Sequence, residues 1–138
     1  MSHALARAAI EKKLFDWAKA KNPALPSVFG VQKADLSRPI FIKGNILPAS
    51  ATTECLQGDE ITYIGLYQVM VCCDPAQPFN TAETLINEIQ SIFPVDSDIG
   101  IEAFNGSITS PVDQGPTITE DSRYNVPVTI AYRGVVST

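Results

Sequence analysis

Residues 63–94 read YIGLYQVMVCCDPAQPFNTAETLINEIQSIFP, and they join a strand to a helix. The first part is dense in β-branched and aromatic residues, which predicts a strand over about residues 61–73. The segment DPAQPFN turns the chain, and Asn80 with Glu83 fits the capping box of a following helix. Pro94 ends that helix. Its apolar positions keep one helical face: Ala82, Leu85, Ile86, Ile89, Ile92 and Phe93.

Before this unit, the sequence predicts one helix and two strands. Residues 3–20 carry an apolar stripe at helical spacing, made of Ala6, Ile10, Leu14 and Trp17. A short strand, SVFGVQ, follows, and RPIFIKGNILPA is a second strand bracketed by Pro39 and Pro48. Residues 49–60 are small and polar, which predicts a connection to the central strand.

After the unit, IGIEAFNGSITSPV is predicted to be a hairpin, because Asn105-Gly106 favours a type I′ turn. DQGPTITEDS is a polar linker, and YNVPVTIAYRG is the last strand, in which Pro127 indicates an edge or a bulge. These elements predict an α+β fold, with a mostly antiparallel sheet of about five strands and two helices packed on one face. We expect a single domain over residues 1–138.

Composition is that of an ordinary globular protein: 138 residues, 45% hydrophobic and 18% charged. No apolar run approaches the roughly 20 residues that cross a bilayer. The first residues, MSHALARAAIEKKL, lack the apolar core of a secretory signal. We therefore expect a protein of the cytosol, without a membrane partner, whose Cys55, Cys72 and Cys73 stay reduced.

Charge is distributed unevenly along the chain. The net charge of −5 combines +5 for residues 1–43 with −10 for the remainder. Two surfaces of opposite sign could attract each other between copies of the chain. The alternative is a scatter of solvated side chains. The candidate charges for such a contact are Lys12, Lys13, Lys19, Glu120 and Asp121.

The sequence offers little for catalysis or metal binding. Cys72 and Cys73 are neighbours in a strand, so they point to opposite faces and do not readily share a metal ion. His3 is the only histidine, and no nucleotide-binding or hydrolase motif is present. We predict no catalytic residue, cofactor or metal. A hydrolase built on paired carboxylates stays open, and its candidates are Asp96, Asp98, Glu102, Asp113, Glu120 and Asp121.

The ordered motifs resemble the tail terminator-like family of long-tailed phages. The resemblance lies in a strand of the form Y-x-G-x-Y-Q-V-x-V, an amphipathic helix ending in Phe93-Pro94, and a last strand closing at Tyr132-Arg133. The strand residues are Tyr63, Gly65, Tyr67, Gln68, Val69 and Val71. Cys72-Cys73 and the acidic VDSD segment after the helix depart from the family pattern.

The resemblance implies a virion protein that is assembled in the host cytoplasm. It would form a hexameric ring at the head-proximal end of the tail tube. That ring would stop tube polymerisation and dock the head, with the tube protein and a head-completion or neck protein as partners. DNA would pass through its channel without specific binding. Alternatives are another neck or tail component, such as a head-closure or tube protein, and an α+β domain of unrelated role.

The acidic connection before the central strand suggests one role within such a ring. If Glu54, Asp59 and Glu60 face the channel, their charges repel DNA phosphates and let the genome slide. The alternative is an outward, solvated loop.

Overall fold

The computed structural model describes residues 2–21, 25–30, 39–53, 60–99, 104–120 and 123–137. No helix in this part of the chain is long and apolar enough to cross a membrane. In chain order the elements are α1 (Ser2–Ala20), β1 (Ser27–Phe29), β2 (Ile40–Thr53), β3 (Glu60–Cys73), α2 (Phe79–Ile92), β4 (Phe104–Ile108), β5 (Asp113–Gln114), β6 (Ile118–Glu120) and β7 (Arg123–Ser137).

The strands form one sheet in the order β1-β2-β3-β7-β4, and β5 and β6 pair with β7 only. All neighbours are antiparallel except β1, which runs parallel to β2. The predicted α+β fold with a mostly antiparallel sheet is thus confirmed. In the described residues the sheet has seven strands, five of them on its main path, so the expected number of about five is approximate.

Both helices contribute to one core on one face of the sheet. The stripe of α1 is buried as predicted at Ala6, Ile10 and Leu14, while Ala18 joins it and Trp17 packs at the margin. The core side of β3 carries its odd-numbered residues and that of β7 its even-numbered ones, as the two-residue period of a strand requires. These strand residues are Tyr67, Val69, Val71, Cys73, Val126, Val128, Ile130 and Tyr132.

Two tyrosines of the sheet, each packed over a glycine, form hydrogen bonds to side chains of α1. Tyr132 is the cross-strand partner of Gly65, and its ring lies where a side chain on Gly65 would stand. Its hydroxyl group hydrogen-bonds to Nδ1 of His3 over 2.6 Å. Tyr67 covers Gly44 in the same way and donates its hydroxyl hydrogen to Glu11 over 2.8 Å. His3 is therefore held in α1 by the sheet, whereas a frayed N-terminus would have been the ordinary expectation.

Burial of these tyrosines gives the protein an alkaline limit. Burial raises the pKa of Tyr132 to about 12, above the value of about 10 in an unfolded chain. As pH rises, the tyrosine in the unfolded state loses its proton first. The stabilising contribution of this group to the free energy of unfolding is therefore fully present below pH 10 and is lost between pH 10 and about pH 12. We expect the urea midpoint to drop over that interval. Tyr132→Phe should reduce this slope; an unchanged slope in the variant would contradict the assignment.

Strand β2 differs from its prediction because Pro48 lies inside it. The strand continues to Thr53, with a register shift between Pro48 and Ser50. The backbone groups of Ile42 and Gly44 bond to the segment of β1, so those of even-numbered β2 residues point away from β3. The nitrogen of Pro48 follows this period, so its missing donor costs no hydrogen bond to β3. The polar connection after β2 is correspondingly shorter than the predicted residues 49–60. The first strand is also shorter than predicted, since β1 ends before Gly30.

The predicted capping box of α2 is wrong. The helix begins at Phe79, with Pro78 in an extended conformation at the N-cap and no side-chain cap. The N–H of Thr81 donates to the Pro78 carbonyl over 3.0 Å, which closes the first turn two residues earlier than an Asn80 cap would. Asn80 instead accepts, through its carbonyl, a hydrogen bond from Thr84 Oγ1.

The predicted type I′ turn at Asn105-Gly106 is also wrong. Both residues lie within β4, where Asn105 pairs with Val135 and Gly106 with Gly134. The N–H of Ile99 donates to the Gly106 carbonyl over 3.0 Å, so the segment that ends at Ile99 pairs with β4. Residues 100–103 lie outside the described ranges. Non-local pairing with the long strand β7 outweighs the local turn preference.

Pro127 does not mark a sheet edge, because β7 is an interior strand with β3 on one side and β4, β5 and β6 on the other. The Pro127 carbonyl accepts from the N–H of Gly115 over 2.8 Å. The nitrogen of Pro127 points to the same side of β7 as its carbonyl, toward the gap between β5 and β6. The missing donor thus lies where no strand pairs with β7. The predicted linker DQGPTITEDS supplies β5 and β6 themselves.

Candidate functional site

The adjacent cysteines are strand side chains on opposite faces, as predicted. Cys73 lies in the core under the helices, while Cys72 is buried on the opposite side of the sheet. Burial raises the pKa of the Cys73 thiol, and this outweighs the lowering by its hydrogen bond to Tyr124 and by the charge of Arg123. The thiol is therefore protonated at neutral pH, and protonated thiols are poor nucleophiles and ligands.

The candidate carboxylates of a hydrolase are spread along β7. Asp98 bridges to Ser107, the partner of Arg133, while Asp113 pairs with Thr129. Glu120 pairs with Arg123, at the far end of the strand. At about 3.3 Å per residue, these positions on β7 are roughly 13 and 20 Å apart, beyond the 5–9.5 Å of glycosidase pairs. Asp96 shares an exposed turn with Asp98, and Glu102 and Asp121 lie outside the described ranges.

Among the described residues, no three His, Cys, Asp or Glu side chains are grouped so that they could hold a metal ion.

The predicted interface lysines lie on α1. Lys12 and Lys19 are exposed, on the same side of the helix as Phe15, which is 48% exposed. Lys13 is turned toward α2's end instead, with Nζ 5.7 Å from the ring centroid of Phe93 and 3.5 Å from the carbonyl oxygen of Asp98. Of their expected partners, Glu120 ends β6 and Asp121 lies outside the described residues.

The acidic connection is only partly described. Glu60 is the first residue of β3, where it pairs with Ser137. Glu54 and Asp59 lie outside the described ranges. Of the acidic connection the structure thus places Glu60, beside the end of β7.

The second face of the sheet, opposite the helices, carries an apolar patch. We call this the open face. Leu47 of β2 lies directly across from Leu66 of β3, and Ile64 follows two residues along β3. These three side chains are 42%, 39% and 40% exposed. Exposed Lys43 and Arg133 lie on the same face at the margins of the patch, Arg133 as the cross-strand partner of Ile64.

The open face is closed at its other end. Phe41 and Cys72, a cross-strand pair, are 4% and 6% exposed. The guanidinium of Arg123 lies 5.0 Å from the centroid of the Phe41 ring, a cation–π contact that covers it. Along this face of β3 burial decreases from Cys72 through half-buried Met70 and Gln68 to exposed Leu66 and Ile64. It returns at Thr62, which is 4% exposed, so the patch is bounded at both ends.

The sequence held a signal for this patch. The outward positions of β3 include Ile64, Leu66, Met70 and Cys72, so the strand is apolar on both faces. A strand of an antiparallel sheet with one solvated face normally alternates apolar and polar residues, and a near-continuous apolar run is typical of a strand covered on both sides. The same run that predicts the strand therefore also indicates that both of its faces are covered.

Both edges of the sheet are interrupted. β1 covers only Ile42–Gly44 of β2, and farther along that edge Pro48 lacks a donor and the register shift bends the strand. The far edge of β7 is covered by three short strands with breaks between them. In the described part of the chain, neither edge therefore offers a long, regular ladder for strand addition.

Comparisons with known proteins agree with this architecture. A family model described as "Phage tail terminator protein" matches residues 6–132, which span both helices and nearly the whole sheet. One solved structure matches this chain with 30% sequence identity and a TM-score of 0.80. The match covers 97% of this chain and 96% of the chain in that structure. No curated protein matches this sequence. The match over residues 6–132 shows that the chain belongs to the phage tail terminator family.

Proposed function

We propose that this protein forms a ring, of six copies as the resemblance implies, at the head-proximal end of a phage tail tube. The ring binds the last layer of tube subunits, stops polymerisation and presents the surface on which the head docks. The observation that carries this proposal is the family match, because it extends over nearly every element of the fold. The family is one of tail components, which favours a structural role over catalysis.

Two features of the fold support a closed assembly. The interrupted edges of the sheet disfavour open-ended strand addition. The open face leaves Leu47 of β2 and Ile64 and Leu66 of β3 exposed, although the composition of β3 is that of a strand covered on both sides. A single kind of subunit closes a ring when two different patches meet head to tail at a closing angle.

Tube capping tests the proposal directly. Tubes assembled from the tube protein are mixed with the purified chain and imaged in negative stain. We expect caps at one end only and no further elongation after fresh tube protein is added. Continued elongation at both ends would overturn the proposal. Incorporation along the tube would instead favour a tube component, the alternative closest to it.

We also propose that Glu54, Asp59 and Glu60 face the channel of the ring. Repeated in every copy, these charges would repel DNA phosphates. Of the three residues, the structure describes Glu60, the first residue of β3. Changing all three to Lys should slow ejection of DNA from assembled particles. The triple change Asp16, Asp74 and Glu83 to Lys, on other elements, is the control of equal charge. Equal ejection kinetics in both variants would remove this role.

Lys12, Lys13 and Lys19 are proposed to meet Glu120 and Asp121 of a neighbouring copy. Exposed charges across an interface chiefly affect association rate and salt dependence. Changing the three lysines to Glu should lower the fraction of rings, and changing Glu120 and Asp121 to Lys in the same chain should restore it. Light scattering at low salt measures both. If the lysine variant forms rings like the wild type, these charges are solvated.

A further inference from the structure

We infer that the open face of one copy receives the turn at residues 94–98 of the next copy. This contact rests on the proposed ring, since it specifies which two patches meet in it. Its receiving side is the apolar patch of Leu47, Ile64 and Leu66 with basic margins at Lys43 and Arg133. Such a surface fits an apolar side chain that is flanked by carboxylates.

The chain itself presents that chemistry at one place in the fold. In the turn after α2, Val95 is 43% exposed and stands beside exposed Asp96 and Asp98. Asp96 has a positive φ of 66°, which marks a tight turn of the chain directly after Val95. The patch and the turn therefore match in both polarity and sign of charge.

Position in the sheet suits a head-to-tail contact. The patch lies on β2 and β3, whereas Asp98 bridges to Ser107 on the side of β4 away from β7. Asp96 and Ile99 complete this attachment, the N–H of Asp96 donating to the Ile108 carbonyl and the N–H of Ile99 to the Gly106 carbonyl. With strands about 4.8 Å apart, roughly 14 Å separates β3 from this turn. Patch and turn are thus two separate surfaces of one subunit, one on β2 and β3 and one beyond β4, as a heterologous contact requires.

The contact also accounts for the composition of β3. Its covered end is closed by Phe41 and the Arg123 guanidinium of the same chain. The exposed patch at Ile64 and Leu66 would be covered by Val95 of the neighbour. Both faces of the central strand would then be buried over most of its length, which is what its apolar run predicts.

Cysteine cross-linking tests the geometry. Leu66→Cys and Val95→Cys are made separately and together, each with Cys55→Ser, and oxidised both in concentrated solution and on tail tubes. The double variant should give a ladder of disulfide-linked multimers that ends at the ring, while each single variant stays monomeric. Cys72 and Cys73 are buried, and the Cys55→Ser chain alone is the control for them. No ladder in either setting, or dimers from Leu66→Cys alone, would overturn the contact.

A charge reversal gives a second readout. Asp96→Lys should raise the dissociation constant between copies about tenfold, and Lys43→Asp in the same chain should restore most of it. Glu83→Lys on α2 makes the same change of charge away from the turn and should leave association unchanged. An equal effect of Glu83→Lys and Asp96→Lys would overturn the specific pairing. Capping of tubes by the wild type is scored separately. If tubes are capped but no disulfide ladder forms, only this contact is rejected. If the ladder forms but tubes are not capped, only the proposed function is rejected.

Discussion

Replacing Gly65 by alanine is expected to destabilise the protein by about 3 kcal/mol or more, at the upper end of overpacking effects. A Cβ at this position would stand 2.6 Å from Cζ of Tyr132 and 3.0 Å from its Cε1, and closer still to the hydroxyl oxygen. The ring of Tyr132 is fully buried and its hydroxyl is bonded to His3. The ring cannot move aside without breaking that bond and displacing α1.

The measurement is urea unfolding of Gly65→Ala, with two further variants to isolate the cause. Gly30→Ala also adds one methyl group, but nothing lies within 4 Å of it, so only the positive φ of 65° costs energy, about 1 kcal/mol. Adding Tyr132→Leu to Gly65→Ala removes the atoms that clash and should cost less than the two single changes summed. Strict additivity, or a Gly65→Ala loss no larger than that of Gly30→Ala, would show that Tyr132 does not depend on the glycine.

The parts of the fold that the sequence predicted well are those set by local periodicity. The stripe of α1 and the alternation of β7 from Val126 to Tyr132 each expose one apolar face, and each is buried where the period puts it. In the strand–turn–helix of residues 63–94, prolines mark the turn and the end of the helix, and the apolar period changes from that of a strand to that of a helix. Local signals of this kind survive because tertiary packing acts in the same direction.

The errors share another cause, which is competition from partners distant in sequence. Asn105-Gly106 has the composition of a tight turn, yet β7 is 15 residues long and offers both residues a ladder. Pro48 reads as a boundary but faces the outer edge of β2, where its missing donor costs nothing. Neither outcome follows from a window of neighbouring residues, because each depends on which strand lies alongside.

The candidate surfaces also divide into features that local sequence predicts and features that depend on partners distant in sequence. The inertness of Cys72 and Cys73 followed from strand alternation alone. The open face required knowing that both helices pack on the opposite side, although the apolar outward positions of β3 already indicated a second covered surface. The proposed contact between this face and the 94–98 turn could not be predicted without the strand order, because that order places β2 and β4 toward opposite ends of the sheet.

Tyr67→Ala is expected to cost about 4 kcal/mol of unfolding free energy, within the range for truncating a large buried aromatic side chain. Tyr67 is fully buried over Gly44, so no neighbouring Cβ can fill the space that the ring leaves. The change also removes the donor to Glu11, whose side chain is only 14% exposed and keeps Arg7 Nη1 at 3.3 Å. Thermal or urea unfolding measures the total loss.

Tyr67→Phe separates the hydrogen bond from the packing. It keeps the ring over Gly44 but leaves the Glu11 carboxylate without the tyrosine donor, which should cost about 1–2 kcal/mol. Because the bond joins α1 to the centre of the sheet, amide exchange around Glu11 should speed up more than exchange in α2. Combined with Glu11→Ala, Tyr67→Phe should cost little more than Glu11→Ala alone, a coupling of about 1 kcal/mol. Additive losses and uniform exchange would mean that α1 is held by its apolar stripe, with no contribution from this bond.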